Sequence, residues 1–326
     1  MTPITFTSKR RRALATLAAF APLLPWAARA QQAGATRTVR IGYQKSSTLT
    51  ALLRLQNTLD APLAALGFKS SWHEFTSGLP LLEALNLGNV DFSADVADTV
   101  PVFAQAAGAQ LTFVAQEAPS PTAQAIVVRA DSPLRSVAEL KGKKIGFAKA
   151  AGAHYLLIAA LEKAGLSLAD IDPAYLTPAD GRAAFERGAI DAWVVWDPFL
   201  SAAQRQSGAR VLADGEGLAS YQRYYLAGTP FAQANPKVLG VIYTALEKTG
   251  RWVKEQPHEA AAALAPLWGL DAAIVEQANA RRSYAVRPVT RERLSEQQRI
   301  ADAFLAAKLL PKKVDALDAA LFKPEV

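Results

Sequence analysis

A doubled alternation of strand and helix is the feature that most narrows what this chain can fold into. Val39-Arg40-Ile41-Gly42-Tyr43 reads as a short strand, followed by a polar turn and a helix from about Thr48 to Leu66. Phe68–Phe75 alternates as a second strand, Gly78–Leu87 is a helix closed by Gly88, and Val90–Ser93 is a third strand. A helix over Val100–Ala107 and a strand over Leu111–Ala115 complete the first series. Glu117-Ala118-Pro119-Ser120-Pro121 breaks the pattern, and it then restarts. Strands over Ala125–Arg129, Lys144–Phe147, Ala174–Leu176 and Ala192–Trp196 alternate with helices over Ser136–Leu140, Ala153–Ala164 and Pro178–Arg187. Gly88-Asn89-Val90-Asp91 in the first series is echoed by Gly188-Ala189-Ile190-Asp191 in the second. Such alternation implies parallel-rich, doubly wound sheets flanked by helices. From about Pro236 the chain turns helical, over Val238–Glu255, Pro257–Leu267, Asp271–Ala280, Thr290–Ala307 and Val314–Leu321. A tail of this kind packs back on one lobe and makes the first domain discontinuous.

Charge and composition remove several function classes. The chain of 326 residues carries a net charge of +7, which on its face suggests a nucleic-acid partner. Residues 1–30 hold Lys9, Arg10, Arg11, Arg12 and Arg29 and no acid, which leaves 31 basic against 29 acidic residues beyond them. The remainder is close to neutral, and nothing in its pattern calls for nucleic acid. The basic cluster precedes the apolar run Ala13–Leu24, too short to span a bilayer, and Ala28-Arg29-Ala30 supplies a small-x-small cleavage pattern. Residues 1–30 thus read as an export signal cut after Ala30, with 31–37 a flexible leader. Arg11-Arg12 resembles a twin-arginine signal, and Sec export is the alternative because Arg10 stands where that motif has a Ser or Thr. No later window is long and apolar enough for a membrane span. Zero cysteine excludes a lipidated N-terminal Cys, a thiolate metal site and a thiol nucleophile. His73, His154 and His258 are widely spaced, which argues against a histidine metal site. No cofactor is expected.

Several local words narrow the reading. Ile41-Gly42-Tyr43-Gln44-Lys45, Leu82–Asn86, Val102–Ala109 and Tyr175-Leu176-Thr177-Pro178-Ala179-Asp180 resemble segments of the aliphatic sulfonate-binding proteins of ABC importers. So do Asp191-Ala192-Trp193-Val194-Val195-Trp196-Asp197-Pro198 and Leu310–Asp315, so that the resemblance covers the mature chain. It implies an α/β, two-lobed type II periplasmic binding protein fold with the ligand cleft between lobes. By this likeness lobe 1 comprises 38–120 plus 226–326, and lobe 2 comprises 121–225. The implied function is capture of an aliphatic sulfonate in the periplasm by a monomer that delivers it to an ABC permease with its ATPase. Taurine, nitrate or another small organic anion is the alternative ligand, and a non-transport sensor subunit the alternative role. Enzymes on this architecture, such as desulfinases, use a Cys nucleophile that this chain lacks, and no GxSxG or P-loop stands at a strand–helix junction.

Polar turns that open helices at the C-terminal ends of parallel strands put backbone N–H groups into such a crevice. Gln44-Lys45-Ser46-Ser47-Thr48, Thr76-Ser77-Gly78, Asp95–Thr99 and Ala150-Ala151-Gly152-Ala153-His154 are the four turns of this kind. The ligand-site candidates are therefore Gln44, Ser46, Ser47, Thr48, Gly78, Asp98, His154, Trp193 and Asp197, followed by Tyr43, Tyr155 and Arg281. Each has a plainer reading. Ser46, Ser47 and Thr48 can simply cap a helix, as can Asp98, and Asp197 can brace the hinge. His154 can cover a lobe surface, and Arg281 and Arg282 can be a solvated helix end. Trp193 and Trp196 face opposite ways in a strand, so at most one lines the cleft. Relatives carry hydroxyls where Ala150–Ala153 stands here, which preserves backbone donors but makes the second-lobe wall smaller and more apolar.

Overall fold

The protein, a computed structural model, is described over residues 36–324. The export signal with Ala30 and most of the leader lie outside the described residues. The first series forms β1 (Arg37–Gln44), α1 (Thr48–Leu55), α2 (Asp60–Ala64), β2 (Phe68–Phe75), α3 (Gly78–Asn86), β3 (Phe92–Ala97), α4 (Thr99–Ala106) and β4 (Leu111–Glu117). β1 pairs in parallel with β2 along its whole length and with β3 on its other side. The single helix expected over Thr48–Leu66 is two helices. Asn57, at φ +52°, breaks them apart, and Asn is among the few side chains that take this left-handed region readily. β3 runs later than expected, so Asp95, Val96 and Ala97 are buried strand and not part of a polar turn.

The second series forms β5 (Gln124–Val128), β6 (Lys144–Phe147), α5 (Gly152–Lys163), β7 (Asp172–Tyr175), α6 (Pro178–Glu186), β8 (Ala192–Trp196), α7 (Phe199–Ser207) and β9 (Arg210–Asp214). The expected helix over Ser136–Leu140 is a short 3-10 turn, and α7 and β9 are elements that periodicity did not expose. The chain then returns as β10 (Arg223–Gly228), which lies antiparallel between β3 and β4. Arg223, Tyr224 and Tyr225 therefore belong to the first sheet, three residues earlier than the expected lobe boundary.

The sequence echo has a structural meaning. The strand order β2-β1-β3-β10-β4 of the first sheet matches β7-β6-β8-β5-β9 of the second. The repeated unit is thus β1 to β3 against β6 to β8, whereas β5 is the counterpart of β10 and not of β1. The echoed aspartates do the same work in both sheets. Asp91 accepts the backbone N–H of Arg40 at 2.8 Å, and Asp191 accepts that of Lys144 at 2.8 Å, each fixing where the third strand joins the first. Gly42 and Gly146, at matching places in β1 and β6, admit Leu81 and Ile190 where a Cβ would stand 2.3 and 2.5 Å away.

The tail comprises α8 (Thr229–Ala234), α9 (Pro236–Glu255), α10 (Pro257–Trp268), α11 (Ala272–Arg281), β11 (Val286–Arg287), α12 (Ser295–Ala306) and β12 (Ala320–Leu321). The expected helix over Val314–Leu321 is instead a 3-10 turn followed by β12, which pairs in parallel with β4. α9 buries Leu239, Ile242, Leu246 and Val253 in one core with Leu52, Leu53, Phe92 and Tyr225, which holds the tail on the first sheet. No helix among the described residues is long and apolar enough to cross a membrane.

Where α9 crosses the segment before β11, a Cβ on Gly250 would lie 2.2 Å from the Tyr284 carbonyl oxygen. Gly250→Ala is expected to lower stability by about 1–3 kcal/mol through overpacking against backbone. Helix propensity alone would raise it by up to about 1 kcal/mol. The sign of the shift in the urea unfolding midpoint separates the two.

Candidate functional site

The C-terminal ends of β1, β3 and β8 and the N-terminal turns of α3 and α5 meet between the two sheets. Gln44, Gly78, Ala97, Val100 and Arg223 from the first lobe face Lys149, Gly152, Trp196 and Tyr221 across one cavity. Its volume is about 10 Å³, room for about one water. The lobes are closed on each other here, and hydrogen bonds cross between them. Thr99 Oγ1 donates to the Ala150 carbonyl at 2.6 Å, and Trp196 Nε1 donates to Ser46 Oγ at 3.4 Å.

Two helices point their N-termini at this cavity, one from each lobe. Neither Ser77 ahead of α3 nor Ala151 ahead of α5 makes a side-chain cap bond, and in the first turn of α5 the His154 N–H alone is taken up, by the Ala151 carbonyl at 2.9 Å. Glycine at both first positions lets the backbone approach closely. At Gly152 a Cβ would stand 2.7 Å from the Tyr221 ring, and at Gly78 it would stand 2.9 Å from Val100.

Between them lies a guanidinium that sequence reasoning missed. Arg223 is 2% exposed, and its Nη2 pairs with Asp95 Oδ2 at 2.6 Å while Nη1 donates to Tyr221 Oη at 2.7 Å. Its Nε has no partner. Arg282 pairs with Asp95 at 3.2 Å and with Glu117 at 2.6 Å, and Tyr225 donates to Glu117 at 2.7 Å. Two guanidinium groups and two carboxylates thus neutralise one another under the cavity, all of them nearly inaccessible. Arg282 is not the solvated helix end expected for it. A charged residue inside the aromatic strand Arg223-Tyr224-Tyr225 was the available signal, because arginine is seldom buried without a paired role.

The other candidates fall in four places. Gln44 and Gly78 line the cavity, with Gln44 Nε2 donating to the Asp95 carbonyl at 2.9 Å. Ser46 stands behind it as the acceptor of Trp196. Ser47 Oγ accepts the Gln44 N–H at 3.1 Å and closes its own turn, while Thr48 Oγ1 accepts from Tyr284 at 2.8 Å. Trp193 sits in the outer core on Phe185, 5.8 Å between ring centroids, and Trp196 takes the cavity face instead. His154 does not line the cavity. It is fully buried among Phe147, Tyr175 and Phe304, and its Nδ1 accepts the Ala150 N–H at 3.3 Å. Burial first, and then nearby Lys149, push its pKa down to about 4. Tyr155 packs on Phe304, and Tyr43 bridges Glu74 and Arg54 on the outer surface.

Asp197 and Arg281 form a clasp between the lobes. The Asp197 carboxylate accepts from Ser201 at 2.6 Å and from Arg281 at 3.1 Å, and Arg281 also reaches Gln204 at 2.5 Å. α11 of the tail is thereby tied to α7 of the other lobe. Asp98 lies at the crossing segment, where its carboxylate accepts the Gln222 N–H at 2.9 Å and its own N–H donates to the Gln222 carbonyl. It is not part of the cavity lining.

Comparison with known proteins agrees with this architecture. Residues 76–260 match the NMT1/THI5-like family. A putative aliphatic sulfonates-binding protein of Escherichia coli is 42% identical over 278 residues, 85% of this chain and 86% of that one. The solved periplasmic aliphatic sulphonate binding protein SsuA from Escherichia coli superimposes with a TM-score of 0.79 at 40% identity, over 88% of this chain and 98% of its own. The alkanesulfonate-binding protein SsuA from Xanthomonas axonopodis pv. citri, solved bound to MOPS, gives a TM-score of 0.80 at 40% identity, over 85% and 95%.

Burial pushes the Asp98 carboxyl from its ordinary 3.8 up to about 7. In the unfolded chain it ionises near 3.8, so between these values the folded state holds a proton that the unfolded state has lost. Its contribution is fully present below pH 3.8 and is lost as pH rises through 7. Stability measured at pH 4 and at pH 8 should therefore differ between the parent and Asp98→Asn, with the parent losing roughly 4 kcal/mol relative to the variant. Parallel pH profiles for the two would assign the carboxyl an ordinary pKa.

Proposed function

The chain belongs to the NMT1/THI5-like family, and on that premise we propose that it captures an aliphatic sulfonate between its lobes in the periplasm and delivers it to the permease of an ABC importer. The observation that carries this reading is the unpartnered Nε of Arg223, buried at the cavity between two uncapped helix N-termini. A sulfonate is ionised at every physiological pH and offers three acceptor oxygens. A guanidinium Nε–H and first-turn N–H groups from both lobes match that demand. The headgroup would be held by Arg223, Gln44 and the turns at Gly78 and Gly152. The alkyl tail would lie against Trp196, Leu79 and Val100, gaining about 0.8 kcal/mol per buried CH₂.

The cavity is smaller than any such ligand, so entry requires the lobes to part. Contacts available from both lobes at once then favour closure over the bound anion. Binding rather than catalysis is favoured because, among the described residues, Ser77 lines the cavity with no imidazole or carboxylate in the same lining to act as a base. The basic N-terminal segment and its Ala28-Arg29-Ala30 pattern support export.

The test is a thermal-shift panel on residues 31–326 with methane- to octanesulfonate, taurine, sulfate esters, nitrate and carboxylates. A ligand present at about 100 times its Kd stabilises by about 2.7 kcal/mol. Sulfonates are expected to raise Tm, and a panel in which only nitrate or a carboxylate does so would reject the substrate assignment. Arg223→Lys keeps the charge and removes the planar fork, so affinity for butanesulfonate should fall by about tenfold or more. Circular dichroism melts of the variant check that the fold persists.

A further inference from the structure

The cavity has exactly two charged lining residues among those described, and both are cations. Arg223 comes from the first lobe and Lys149 from the second. They differ in what surrounds them. Arg223 is buried and shares Asp95 with Arg282, so its charge is already balanced. Lys149 is exposed, and among the described residues no carboxylate lies within 4 Å of its ammonium; its nearest notable neighbour is the Tyr175 ring, 5.9 Å from Nζ to centroid.

The turn that presents Lys149 is held by two contacts on one strained residue. Ala150, the next residue, has φ +62°, a left-handed conformation that costs on the order of 1 kcal/mol or more for a residue with a Cβ. Its carbonyl accepts Thr99 Oγ1 from the opposite lobe at 2.6 Å, and its N–H donates to His154 Nδ1 at 3.3 Å. The unprotonated His154 ring supplies that acceptor. The strained residue is therefore fixed by contacts on both of its peptide groups, and it is the neighbour of Lys149, which lines the cavity.

Resting on the sulfonate reading, we propose that Lys149 sets the ligand class by its tail. The site prefers sulfonates whose far end is anionic, sulfocarboxylates above all, and discriminates against tails that end in an ammonium. With the headgroup at Arg223 and the helix N-termini, the second cation meets the distal end of a short ligand. A distal carboxylate gains a favourable charge contact there, a methyl gains none, and an ammonium meets a like charge. Because Lys149 is partly in solvent, the effect is modest and sensitive to salt.

Three ligands with the same two-methylene spacer test this: 3-sulfopropanoate, propane-1-sulfonate and taurine, whose tails end in carboxylate, methyl and ammonium. Calorimetric Kd values on the mature chain at low salt should rank in that order, with about fivefold between neighbours. Lys149→Gln should bring the three together, Lys149→Arg should keep the order, and Lys149→Glu should invert it. An inverted order under charge reversal cannot come from a merely structural role. Equal affinities for the three in the parent chain, or an order unchanged in Lys149→Glu, overturn the role of Lys149 while leaving sulfonate binding in place. Failure of all three to bind overturns the sulfonate reading and this inference together.

Discussion

Two guanidinium groups and two carboxylates share one nearly inaccessible space beneath the cavity, and much of the architecture serves to bring them there. Asp95 comes from β3, Glu117 from the end of β4, Arg223 from the start of β10 and Arg282 from the end of α11. No one of these segments can be buried without the others, because removing a single partner from a buried ionic set strands a charge at a cost of about 3–5 kcal/mol. This accounts for a first sheet assembled from two separate stretches of the chain. The tail is required to return to the first sheet because the charge it carries at Arg282 balances carboxylates laid down far earlier in the chain. The same set holds the Arg223 guanidinium beside the cavity with its Nε left without a partner.

Most of the fold was legible because period-two and helical spacing survive wherever one face of an element meets solvent. β2 and β8 fall where alternation and apolar runs placed them. The failures share a physical cause. β3 and β8 are buried on both faces, so hydrophobicity carries no phase information. This is why Asp95 read as part of a turn, and why alternation could say that Trp193 and Trp196 diverge without saying which one reaches the cavity. The replacement of the last helix by β12 reflects tertiary pairing that no local pattern encodes, whereas the split of the first rests on the left-handed backbone of Asn57.

At the site, the turns that open α3 and α5 were readable from Gly and Ser placement after strands. Their partner was not. Arg223 lies far along the chain from both turns and joins them only because β10 inserts between β3 and β4. His154 shows the converse. A histidine at the opening of a helix near an expected anion invites a ligand role, yet its imidazole is spent on holding Ala150 from behind.

The strands that carry the chain between the lobes are also the strands next to the centre of each sheet. β5 enters the second sheet between β8 and β9, and β10 re-enters the first between β3 and β4. At the junction these two crossings are joined by a third strand of chain. Ser120 N–H donates to the Ser220 carbonyl at 3.0 Å, and Ser283 Oγ donates to the Ala118 carbonyl at 2.7 Å. Two parallel tethers leave a pair of bodies free to bend and to twist about their common line. The third segment stays with the first sheet and holds the outgoing crossing at Ala118 and Ser120 through Ser283, so bending falls in the short stretch of the two crossings beyond that contact.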